Sequence, residues 1–110
     1  MEIKRQVGEF NKTEIFNLTQ GGSYKLSEQA GQVINMSGWL IYSDVDSKGE
    51  EIRVLAIRDN NGDIYATVSE VFITQFEKLA DFMGDESYNI KVEQKTSKNG
   101  RNYITCVAHR

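Results

Sequence analysis

Cysteine and histidine are nearly absent from this 110-residue chain, which holds one of each, Cys106 and His109. A lone cysteine cannot close an internal disulfide, and its place in the apolar run Ile104 to Ala108 reads as a small buried hydrophobe. One histidine and one cysteine leave no zinc set and no catalytic triad, and no G-x-x-x-x-G-K-[ST] loop is present to hold nucleotide phosphates. No enzymatic activity, metal or cofactor is therefore expected. Long hydrophobic runs are missing too: none approaches the roughly 18 residues that span a bilayer, and the charged start Met1 to Arg5 is followed by no apolar signal segment. The sequence predicts a cytoplasmic protein without a membrane partner.

What is present is an ordinary globular composition, 39% hydrophobic and 26% charged, in a chain long enough for one core. The net charge of −3 hides a polarity. Residues 1–43 balance, four basic against four acidic; residues 44–86 carry four basic against eleven acidic; residues 87–110 carry five basic against one acidic. The positive charge gathers at the end of an acidic chain.

Residues 1–31, with a loop around Gly21-Gly22, read as an N-terminal extension packed on a domain formed by 32–110. Val33 to Ser43 is rich in β formers and shows no helical stripe, so it is a first strand. Its Gly38 marks a bulge, a bend or a close backbone approach that lets one strand serve two halves of a barrel. A polar loop leads to a second strand, Glu51 to Asp59, where Ile52/Val54/Ala56 and Leu55/Ile57 are both apolar and the inner face stays ambiguous. Asp59-Asn60-Asn61-Gly62 is a hairpin signal; as a calcium loop it has the wrong spacing and lacks the closing glutamate. In the third strand, Asp63 to Ser69, the set Ile64/Ala66/Val68 predicts a core face and Tyr65 the opposite one. Ser69 then caps a helix whose stripe is Phe72, Phe76, Leu79 and Met83, ended by Gly84. Ser87 to Lys95 and Asn102 to His109 form a last hairpin around Ser97 to Gly100.

The predicted class is thus all-β, a five-stranded OB-fold barrel in the order β-β-β-α-β-β with one helix between the third and fourth strands. A small α+β sheet with a covering helix is the alternative. OB barrels bind oligonucleotides on the face of the second and third strands and through the loops joining the first to the second and the fourth to the fifth.

The phenylalanines sit in the helix or the N-terminal third, whereas Trp39, Tyr42, Tyr65, Tyr88 and Tyr103 sit on strands. Rings with a flat face and a polar handle suit base stacking, although the same residues are good strand formers. Tyr65 is the best placed. Trp39 shares its parity with Ile41 but adjoins Leu40, which leaves its face open, and Tyr88 shares the core parity of Ile90 and Val92. Among the cations, Lys91 and Lys95 point outward from the fourth strand, Lys98 and Arg101 flank the following turn, Arg53 and Arg58 bracket the second strand, and Lys48 tips the loop before it. In the predicted fold these border a single groove where phosphates run. The competing reading is that they keep strand edges soluble.

The segments "IFNLTQGGSYKL", "NGDIYATVS" and "YNIKVEQKTSKNGRNYI", in this order and spacing over Ile15 to Ala108, resemble the small OB-fold single-stranded DNA-binding proteins of tailed bacteriophages infecting Gram-positive bacteria, notably those with protein-primed replication. The resemblance implies non-catalytic, sequence-independent coating of single-stranded DNA during phage replication in the host cytoplasm. By position it implies binding roles for Tyr65, Lys95, Lys98, Arg101 and Tyr103, and less directly Trp39. Self-association along DNA and replication proteins are further partners it admits. Cellular bacterial relatives recruit partners through an acidic tail, which "CVAHR" does not offer. A protein-interaction module, or an inhibitor mimicking nucleic acid with residues 44–86, is the alternative function.

Overall fold

The computed structural model describes residues 1–109. The chain is mostly β: β1 (Glu2–Val7), β2 (Tyr24–Lys25), β3 (Val33–Ile34), β4 (Met36–Val45), β5 (Glu51–Asp59), β6 (Ile64–Thr67), β7 (Asn89–Thr96) and β8 (Asn102–His109). Two α-helices interrupt the strands, α1 (Lys12–Gln20) and α2 (Glu70–Met83), and a 3-10 turn covers Leu26–Glu28. No helix is long and apolar enough to cross a membrane among the described residues.

The strands form two sheets, one ordered β1-β4-β5-β6-β2 and the other β3-β7-β8. The predicted first strand is divided between them. Val33 and Ile34 pair with Lys91 and Ile90 of β7, and from Met36 onward the chain pairs with β5, with a register shift between Met36 and Gly38. Gly38 is required there by crowding, since a Cβ would stand 2.5 Å from Phe10 Cζ and 2.9 Å from the Val7 carbonyl oxygen. The expected closed barrel is corrected in one respect: among the described residues β6 pairs with β5 and β2, β8 pairs with β7, and no ladder joins β6 to β8.

A second helix is the other difference. Asn11 and Glu14 form a reciprocal cap: the Asn11 side chain accepts from the Glu14 N–H at 2.8 Å and the Glu14 carboxylate accepts from the Asn11 N–H at 3.0 Å. The sequence signal was present in Asn11-Lys-Thr-Glu14, but without a strong apolar stripe behind it.

This helix explains why β5 looked apolar on both faces. Leu55 and Ile57 enter the main core with Trp39, Ile41, Phe72, Ile73, Phe76, Ile90, Val92 and Cys106. Val54 and Ala56 enter a second core with Leu40, Tyr42 and Leu18 of α1, against which Phe10, Ile64 and Ala66 pack. The five-stranded sheet is therefore sandwiched, with α2 and the smaller sheet on one side and α1 on the other. A sheet covered on both faces needs near-continuous apolar strands, whatever its strand directions. The face of Ile64 and Ala66 is consequently the α1 side, Tyr65 leans on the main core, and Val68 is exposed.

The other local expectations meet clear physical causes. Ser69 Oγ accepts from the Phe72 N–H at 3.3 Å and Gly84 at φ 58° stops α2, which buries Phe72, Ile73, Phe76 and Ala80. The Asp59 carboxylate accepts from the amides of Asn61 and Asp63, both at 2.9 Å, so this acid is spent on its own turn. Cys106 is fully buried, and burial pushes its thiol up to about 12.

Candidate nucleic-acid interface

The β7–β8 ribbon sorts its residues by face. Ile90, Val92, Ile104 and Cys106 turn into the main core, while Lys95 and Tyr103, direct cross-strand partners, share the other face with the pairs Lys91–Val107 and Glu93–Thr105. The tip closes tightly: the Ser97 N–H donates to the Arg101 carbonyl at 2.8 Å and the Gly100 N–H to the Ser97 carbonyl at 2.9 Å, with Gly100 at φ 78°. Thr96 Oγ1 and Asn102 Oδ1, 2.9 Å apart, tie the strand ends. Lys95, Lys98 and Arg101 are exposed on this stiff finger, and none of the three takes part in an ion pair among the described residues.

Along its length the ribbon borders a groove of about 550 Å³ between β8 and α2. Lys95, Tyr103 and Thr105 line one wall, and Thr74, Gln75 and Lys78 line the other. The groove's one acid among the described residues, Glu70, is paired with Arg53, so two lysines, a half-exposed tyrosine and small polar groups in an open channel can hold a phosphate backbone and offer a ring to a base. A cleft of similar size, about 580 Å³, lies between β1, the start of β4 and the end of α2. Arg5 and Asp81, which line it, pair with each other, and Asp85 and Glu86 leave it net acidic, so its field opposes phosphate.

Four sequence-predicted contacts are not available at this surface. Trp39 is 2% exposed, packed edge-on against Phe76 at 4.9 Å beneath the Arg5 guanidinium, and shows no face to a base. Tyr42 is 5% exposed in the second core, its hydroxyl donating to the Thr19 carbonyl at 3.1 Å. Arg53 is held by α2: it donates to Glu70 at 2.8 Å and to Glu77 at 2.7 Å, and these two carboxylates fix its guanidinium still more firmly in the charged form. Arg58 is held by α1: it donates to Glu14 and, at 3.0 Å, to Ser37 Oγ, and lies over the Phe10 ring at 4.6 Å. The Asn11 amide and then Arg58 keep the Glu14 carboxyl below its ordinary range. Both arginines are struts between a strand and a helix.

The remaining candidates are dispersed. Lys91 is half-buried between β3 and β8, opposite Val33 and Val107. Lys48 is exposed on the β4–β5 loop, whose shape comes from Asp46 accepting the Lys48 and Glu50 amides. Tyr65 lies on β6 beside Tyr24, with ring centroids 5.5 Å apart. Sequence reasoning missed Lys78, Thr74 and Gln75, although all three fall off the apolar stripe of α2. Tyr24, beside Tyr65, follows a glycine loop with no periodic signal.

A family model described as "Phage Single-stranded DNA-binding protein" matches residues 8–108. No curated protein and no solved structure matches the chain.

Proposed function

The chain belongs to the phage single-stranded DNA-binding protein family and thus binds single-stranded DNA in phage DNA replication; we propose that the strand runs along the β7–β8 finger and the groove between β8 and α2. One observation carries this placement. In a net-acidic protein, Lys95, Lys98 and Arg101 stand exposed and unpaired among the described residues, beside Tyr103, while Arg53 and Arg58 are neutralised by carboxylates. Free cations release counterions when they meet phosphates, and ion-paired ones have little left to give.

We further read the two sheets as an opened OB barrel. The expected five strands occur in order, the bent β3–β4 segment contributes to both sheets, and α2 stands between the third and fourth strands. The finger then corresponds to the loop between the last two strands that OB folds use for oligonucleotides. Binding without base preference is in keeping with a surface of lysines and a ring, which offers no paired donors and acceptors for base edges. The nucleic-acid-mimic reading finds less support, because within that segment Glu70 and Glu77 are engaged by Arg53 and Asp81 by Arg5.

Fluorescence anisotropy of an end-labelled oligo-dT at low salt tests the reading, with duplex DNA as competitor. Tight binding that duplex fails to displace is expected. Absence of binding at low salt, or equal competition by duplex, overturns it.

A further inference from the structure

Tyr24 belongs to neither core and to no part of the finger. It sits on the two-residue strand β2 at the open margin of the larger sheet, in parallel pairing with β6 that sets Tyr24 beside Tyr65. The two rings are tilted by 34°. Tyr65 is anchored, since one flank packs on the main core. Tyr24 is 56% exposed, and its hydroxyl makes no hydrogen bond among the described residues. An aromatic ring so placed gives the fold little burial in return for its exposed area.

Next to the ring is a hollow of about 390 Å³ bordered by Gly22, Ser23, Gly62, Asp63 and Ile64. Two of its border residues carry no side chain, and a Cβ at Gly22 or at Gly62 would meet nothing within 4 Å. The charge around it is negative: Asp63 lines the hollow, and Asp59 stands on the same turn. That field repels a phosphate and accepts an uncharged planar group. A nucleobase has the required flat face, and every base can stack.

We propose that Tyr24 is a base-stacking residue, and that the hollow it lines receives one nucleobase of the bound strand against the Tyr24 ring, which packs on Tyr65. The inference rests on the single-stranded DNA reading and adds to it a second contact of a different kind: the finger meets phosphates, and the Tyr24 hollow meets a base. Anchored Tyr65 supports the Tyr24 ring, and Tyr24 with Ile64 borders the site.

The test compares oligo-dT with an oligomer of equal length and identical backbone that lacks bases, both by anisotropy. Tyr24→Ala is expected to weaken oligo-dT binding roughly 5- to 150-fold, the range of one lost stacking contact, and to leave the abasic oligomer unaffected. Tyr24→Phe keeps the ring and is expected to bind as the unaltered protein does. Gly22→Leu, which no neighbouring atom opposes, fills the hollow and is expected to reproduce the loss on oligo-dT alone. Equal losses on both oligomers, or no loss on oligo-dT, overturn the inference while leaving single-stranded DNA binding intact. Failure of the unaltered protein to bind either oligomer removes the reading beneath it, and the inference with it.

Discussion

Replacing Lys95, Lys98 and Arg101 together with alanine tests the finger by a quantity that stability does not enter. Each side chain is exposed and free of ion pairs among the described residues, so each is counted as one phosphate contact. On a single strand every such contact contributes about −0.7 to the slope of log affinity against log salt. Three contacts come to about two units, and over a fourfold rise in salt that is about a 20-fold difference in affinity. The unaltered protein should therefore lose about 20 times more affinity than the triple variant between 50 and 200 mM salt, whatever the base sequence of the oligomer. Anisotropy titrations at four or five salt concentrations give both slopes directly. Arg53→Ala is the control: its guanidinium is occupied by Glu70 and Glu77, so the variant should unfold more easily yet keep the full slope. A slope unchanged in the triple variant, or lowered equally by Arg53→Ala, would refute the assignment of free and spent charge.

Trp39 emission should not be quenched on saturation with oligo-dT, because the ring is 2% exposed and covered by Arg5 and Phe76; strong quenching would require a different interface. Gly38→Ala should cost about 1–3 kcal/mol in urea unfolding, since its methyl collides with Phe10 and the Val7 carbonyl, and an unmoved midpoint would contradict that crowding. Glu14 has its carboxyl held below the ordinary value of 4.5 by the Asn11 amide and then Arg58. Its stabilising contribution is therefore complete above that value and is lost as pH falls through the lower folded one. Glu14→Gln should flatten this acid limb of the stability profile, measured by urea unfolding across pH 2 to 6 as an order-of-magnitude window. An identical acid limb in both proteins would count against the cap.

The strands and α2 were legible because their signals are local. Asn-Gly turns, the Ser69 cap and the alternation of β7 each act within a few residues, and the structure places an element at each. The split of the first strand was foreshadowed by Gly38, whose neighbours Phe10 and Val7 explain it but are distant in sequence. What could not be read locally was which charges are already engaged. Arg53 meets partners 17 and 24 residues away and Arg58 one 44 residues away, and no window of sequence displays such a pair. Trp39 and Tyr42 are buried for a related reason. Successive faces of one strand are normally divided between core and solvent, but here α1 covers the second face, so opposite parities are both interior.

That double coverage has a consequence for how β5 finds its place. Val54-Leu55-Ala56-Ile57 is apolar on both faces, so the alternation of apolar and polar residues that usually pins a strand's register is missing here. The two arginines do not tolerate a one-residue slip. Arg53 lies on the α2 side and Arg58 on the α1 side, and a slip would turn each away from the carboxylate it meets and toward the wrong helix. The ribbon thus carries a charged mark at each end that disfavours a slipped register, in addition to the misfit of Ala56 and Leu55 exchanging cores.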